Sequence, residues 1–179
     1  MSYTPIARGT TDWNVPVNSA FADQDERITA LENARVFARK TADESVTNST
    51  TYQNDDGLLV PVTAGATYIV EGFIVYNTAS AAGIKLQLTG PTGTGLWGFI
   101  GLSVSGGNLD TGTIRMSAST NGVGSSRLGG AANDLVAIAR GTFLPTASGN
   151  LVFQWAQNAA NATPTVVRAN SWLSVHRIA

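Results

Sequence analysis

Cysteine is absent from the 179-residue chain, so no disulfide holds the fold and no thiolate can ligate a metal or act as a nucleophile. Charge is scarce: Asp, Glu, Lys and Arg make up 13% of residues, against about 25% in an average globular protein. The net charge of -1 gives no global pull toward nucleic acid or an acidic membrane. No window reaches the ~18 apolar residues that a spanning helix needs, and residues 1–12 lack the basic-then-apolar pattern of an export signal. The expectation is a protein soluble when made, without membrane insertion. Histidine occurs once, at His176. A general base needs an orienting partner and a nucleophile within reach; no triad or elbow motif frames His176, which reads as an ordinary strand residue.

Two further motifs fail as chemistry. Asn54-Asp55-Asp56-Gly57 offers oxygens but lacks the alternating acids and distal Glu of a calcium loop, and reads as a turn. Gly90-Pro91-Thr92-Gly93-Thr94-Gly95 lacks the Gly-Lys-Ser/Thr ending of a phosphate loop, and Pro91 removes an amide donor, so it reads as a hairpin connection. No enzymatic activity, metal or cofactor is expected.

What charge there is lies unevenly. Residues 1–44 hold seven acids and five bases, 12 of the 23 charges in the chain. That shift marks a boundary near residues 35–45 and divides the chain into an arm (1–16), a helix (17–35) and a long charge-poor body (36–179). A surface so poor in charge suits burial between subunits, because interface cores are depleted of charged residues.

Pro5, Gly9 and Pro16 oppose regular structure in the arm, yet it carries Tyr3, Ile6, Trp13 and Val15. Apolar residues in so short a segment need something else to bury them. One reading makes Trp13 a staple on its own helix; the other makes the arm an anchor that orders on docking to a larger structure. In the helix, Asn18 is a candidate N-cap. Val17, Phe21, Gln24, Ile28 and Leu31 take heptad positions d, a, d, a and d, with Arg27 at g and Glu32 at e. A g residue and the e residue five places later form the interhelical ion pair of a parallel coiled coil. The stretch Arg27-Ile28-Thr29-Ala30-Leu31-Glu32 also resembles the short trimerisation motif of three-stranded coiled coils. Ile at a with Leu at d ordinarily favours two strands; the Arg27/Glu32 pair and Phe21 weigh toward three. The plainer alternative is an amphipathic helix packed on its own body.

From Val36 the period changes to two. Tyr68, Val70, Gly72, Ile74 and Tyr76 face one way, with Ile69, Glu71, Phe73 and Val75 opposite. Ile84, Leu86 and Leu88 alternate with Lys85 and Gln87. Pro61 marks residues 58–62 as an edge strand, and Asn121-Gly122 opens a Gly/Ser loop running to Asn133. Eight to ten short strands without intervening helices are the signature of an antiparallel β-sandwich or jelly roll.

The body's bases are scattered singly, which disfavours nucleic-acid binding. Sugar stacking needs an exposed aromatic ring. Trp155 and Trp172 sit in strand patterns and read as core; Trp97, between Gly95 and Leu96 on one side and Gly98 on the other, is the candidate glycan contact.

Gly9, Trp13 and Pro16-Val17-Asn18-Ser19-Ala20-Phe21 ahead of a short helix resemble the start of many tailed-bacteriophage fibre and minor structural proteins. Ala42-Asp43-Glu44-Ser45, Asn54-Asp55-Asp56-Gly57-Leu58, Gln154-Trp155-Ala156-Gln157 and Asn170-Ser171-Trp172-Leu173 are similar to a β-sandwich module of phage virion surface proteins. The resemblance implies a homotrimer on the virion surface, made in the host cytoplasm. Its arms (Tyr3, Ile6, Trp13, Val15) would attach to phage capsid or tail proteins and its jelly-roll knobs would project. The short chain favours a capsid decoration protein or head fibre. The alternative is a receptor-binding tail knob, its partner a host cell-surface glycan.

Overall fold

The computed structural model describes residues 14–32, 35–102, 114–122 and 126–179. The chain divides into two compact units, residues 1–35 and 36–179. In the first, helix α1 spans Asn14–Glu32, beginning and ending three residues before the expected 17–35. Pro16 falls in its first turn, where a missing N–H breaks no intrahelical bond. It is therefore part of the helix rather than its entry, and Asn18, expected as N-cap, lies inside it.

The second unit is built of β1 (Arg35–Arg39), β2 (Glu44–Val46), β3 (Gln53–Val62), β4 (Tyr68–Thr78), β5 (Ile84–Thr89), β6 (Gly93–Leu102), β7 (Ile114–Thr120), β8 (Ser126–Leu128), β9 (Ala131–Pro145), β10 (Gly149–Gln157), β11 (Thr165–Val167) and β12 (Trp172–Arg177). One sheet runs β1-β12-β4-β9-β6-β7, with β11 joining β4 to β2; the other runs β3-β10-β5-β8. The registered pairs are antiparallel. From β3 to β10 the chain changes sheet at every step except β6 to β7, which pair as neighbours.

The period-two reading of β4 and β5 holds. Tyr68, Val70, Ile74 and Tyr76 are buried, as are Ile84, Leu86 and Leu88. They meet Leu151, Phe153 and Trp155 of β10 in one core between the sheets, where Phe99 of β6 approaches Phe153 at 6.3 Å between ring centroids. Two loop expectations fail. The 54–57 segment is not a turn but part of β3, which pairs Asn54 with Gln154. Its polar side chains are satisfied there, so composition alone misleads. The expected loop to Asn133 contains β8 and the start of β9, where Leu128 and Ala131 enter the core. Gly122 does sit in a turn, with φ at 63°, a conformation that Gly adopts without steric cost. The neighbouring Asn121 side chain accepts a bond from the Gly90 amide and donates to the Pro91 carbonyl, both at 2.8 Å. Pro61 lies on β3, an edge strand as expected.

Candidate functional site

A cleft of about 200 Å³ opens where β1 gives way to β2, lined by Lys40, Thr41, Ala42, Asp43, Glu44, Asp56 and Gly57. Lys40 follows β1 directly and is pinned by its backbone: its amide donates to the Ser171 carbonyl at 2.8 Å and its carbonyl accepts from the Asn170 amide at 2.9 Å. Its buried ammonium donates to both Asp55 carboxylate oxygens at 2.8 Å and to Glu44 Oε2 at 2.5 Å. Asp55, wholly buried, also accepts from the Gly57 amide at 3.0 Å and from Trp155 Nε1 at 3.2 Å. Glu44 accepts from Gln53 Nε2 at 2.8 Å and from the Asp56 amide at 3.2 Å. Burial by itself pulls the Lys40 pKa down, but its hydrogen bonds to Asp55 and Glu44, and their charges, hold it above the usual lysine value.

A second, exposed cluster grips the same segment from outside. Asp43 Oδ1 accepts from the Ala169 amide and Oδ2 from Arg168 Nη1, both at 2.8 Å; Arg168 Nε donates to Asp134 Oδ1 at 3.1 Å. The Ala169 amide first, and Arg168 second, hold the Asp43 carboxyl below its usual range. The three protons of the Lys40 ammonium are all engaged with carboxylate oxygens, so it offers neither a free amine nor an open acceptor set. Among the described residues, no group of three or more His, Asp or Glu side chains is placed to hold a metal.

The outward faces of the two sheets differ. On the four-stranded sheet, cross-strand amides form a ladder: Gln87 Nε2 donates to Gln154 Oε1 at 2.5 Å, and Gln154 Nε2 to Asn54 Oδ1 at 2.7 Å. Beside it the Lys85 ammonium stands 4.5 Å from the centroid of the Tyr52 ring. On the larger sheet, an apolar row crosses five strands. Register sets Trp172 opposite Phe73, Phe73 opposite Ile138, and Ile138 opposite Ile100. Phe37 of β1 closes the row against Trp172 at 5.6 Å between ring centroids, and the Phe73 ring stacks on the other side of Trp172 at 6.4 Å. Val136 lies beside the row, paired with Val75. The nearby Glu71 and Arg140 are joined at 2.7 Å.

The residues singled out from sequence fall in different places. On α1, Phe21 and Ile28 are 61% and 52% exposed, Gln24 and Arg27 are also exposed, and Val17 is half-buried. Leu31, Glu32 and Val15 belong to the helix, but their side chains lie outside the described residues, as do Tyr3, Ile6 and Trp13. Trp97 is corrected: it is 1% exposed and packs edge-on against Phe143, so its ring has no face to offer a sugar. It is buried because glycine makes room; a Cβ on Gly95 would run into its ring. Trp172, expected in the core, is instead half-exposed in the outward row. His176 is exposed near the end of β12. The Lys40 cluster escaped the sequence reading, since its partners are up to 15 residues apart. The apolar row had a signal in Phe73 and Val75, which the alternation of β4 placed away from the core.

No protein-family model matches the chain, and no curated protein does. Solved structures that overlap it come from infectious bursal disease virus. The VP2 subviral particle shares 12% identity over 81% of this chain and 37% of its own, at a TM-score of 0.20. The Gx strain structure shares 12% over 80% and 38%, at 0.20, and the Gt strain structure 15% over 82% and 41%, at 0.19. The chain thus spans about two fifths of the length of these viral chains, and at such TM-scores the likeness does not bear on what it does.

Proposed function

We propose that the chain is a structural component of a virus particle: a homotrimeric bacteriophage decoration protein or head fibre, joined at α1 and projecting jelly-roll knobs. Residues 1–16 attach it to capsid subunits. The observation that carries this reading is the division of eight consecutive strands between two sheets, β3-β10-β5-β8 and β4-β9-β6-β7. That interleaving is the strand order expected of a double-sheet jelly roll, a fold common in capsid and surface modules. The sequence resemblance to phage surface proteins points the same way. The trimer is supported by α1, whose Phe21 and Ile28 lie open to solvent one heptad apart. Such a short helix gains stability chiefly from partners.

The test is location and mass. A reconstruction of particles carrying tagged protein should place three copies together on the head, with residues 1–16 against the capsid. Density at the tail tip would favour a receptor-binding knob instead, and protein absent from particles would end the reading. Sedimentation of the purified chain should give the trimer mass, and Arg27→Ala should weaken it.

A further inference from the structure

We infer that the outward apolar row of the larger sheet (Phe37, Trp172, Phe73, Ile138, Ile100, with Val136 beside it) is the surface through which the body packs on a second copy of this chain. The inference rests on the trimeric reading and adds where the bodies touch. Sheets with one face in water normally alternate apolar-in and polar-out; the four-stranded sheet does so, with its amide ladder. The larger sheet departs from that rule over five adjacent strands. Phe37, Phe73, Val136 and Ile138 are each more than a third exposed. With their neighbours they leave on the order of 500 Å² of apolar surface open, at the upper end of what a monomer shows. It suits the apolar centre of one side of a standard interface, which buries about 800 Å² per partner.

Two observations select another copy as the occupant. First, charge on the face is balanced within it: Glu71 bridges Arg140 at 2.7 Å and Asp134 bridges Arg168 at 3.1 Å. No uncompensated field invites a polyanion or a strongly charged protein, and a neutral patch avoids the like-charge cost of bringing equivalent surfaces together in a symmetric assembly. Second, the row is continuous with the proposed helical contact. It begins at Phe37 on β1, and two residues join Glu32, the end of α1, to Arg35, the start of β1. That length of chain reaches no more than about 11 Å. Copies joined at their helices therefore bring their β1 strands together, and with them the start of the row.

The chain has no cysteine, so a single introduced thiol reports on its own position. Ile138→Cys (44% exposed in the single chain) is compared with Leu59→Cys on the outward face of the four-stranded sheet (38% exposed). Each full-length variant is labelled with a bulky maleimide at concentrations where sedimentation fixes its mass. In the oligomer, the Ile138→Cys variant should label at least about tenfold more slowly than the Leu59→Cys variant, because reagent waits on opening of the interface; dilution to monomer should abolish the difference. Equal rates within a trimer would overturn this inference and leave the trimeric reading intact. A monomer at every concentration would end both. Slow labelling in a monomer would also overturn it, since the chain's own residues would then cover the face. Should Ile138→Cys lose its strand circular dichroism, Val136→Cys, on the same face and 37% exposed, takes its place under the same criteria.

Discussion

Two ion clusters hold the segment between β1 and β2, and they differ in one respect. The Lys40–Asp55–Glu44 cluster is inside: Lys40 is 4% and Asp55 0% exposed. The Asp43–Arg168–Asp134 cluster is outside, each side chain a third to a half exposed. Together they use four of the 12 acids and two of the 11 bases of a charge-poor chain, so ionic contacts are concentrated on one short segment. Burial separates their consequences. A buried pair is not by itself a strong net stabiliser, but losing one partner leaves a charge in a medium that cannot solvate it. An exposed pair loses little, because water and salt replace the missing partner. The inner cluster therefore fixes where the chain leaves β1, and with it Phe37 at the head of the apolar row, while the outer one only trims the segment's surface path.

The sharpest break is Lys40→Met. Asp55 keeps its bonds from Gly57 and Trp155 but loses its counter-ion, and the expected cost is about 3–5 kcal/mol, read as a shift in urea midpoint. Replacing both partners, Lys40→Met with Asp55→Leu, should recover much of that loss, since an apolar pair leaves no stranded charge. If the double variant is no more stable than the single, the cost lies in packing, not charge. Titration gives a second handle. The Lys40 pKa is raised in the folded state, so its contribution is complete below the unfolded lysine value of 10.5 and falls away as pH rises through the higher folded value. The melting temperatures of wild type and Lys40→Met should therefore converge above about pH 11, and parallel curves there would show that Lys40 does not titrate as its contacts imply. Glu44→Gln is expected to have a smaller effect, about 1–2 kcal/mol: Glu44 is partly exposed, and Asp55 still neutralises Lys40.

The fold was more legible in the sequence than the site. Strict alternation in β4 and β5 fixed which side chains face inward, because register with a half-buried sheet permits no other choice. Pro61 placed an edge. The Asn-Asp-Asp-Gly segment misled because turn composition and a strand with internally satisfied acids look alike until the partners are known. Lys40 supplies the charge that Asp55 needs, and Trp155, a hundred residues away, supplies a further donor; such long-range pairing leaves no periodic trace. Trp97 misled for a related reason. Flanking glycines suggested an open loop, yet Gly95 is small because the Trp97 ring lies against it in the core. The outward row lay half in view. Alternation gave its face, but only cross-strand register lines up Trp172, Phe73, Ile138 and Ile100.

The smallest expected effect is the one that most sharpens the contrast between the clusters. Arg168→Ala removes both ion pairs of the outer cluster yet leaves the Asp43 carboxylate its bond from the Ala169 amide. It should cost no more than about 1 kcal/mol at low ionic strength, and less in molar salt. Because the folded-state pKa of Asp43 is lowered, its contribution is present above the unfolded value of 3.8 and disappears as pH falls through the lower folded value. The difference between wild type and Arg168→Ala should shrink along that same path. Urea midpoints at two salt concentrations, at neutral pH and in acid, measure both dependences. A salt-insensitive loss as large as that of Lys40→Met would mean that the outer cluster is desolvated in the native assembly, and burial could then no longer be what separates the two.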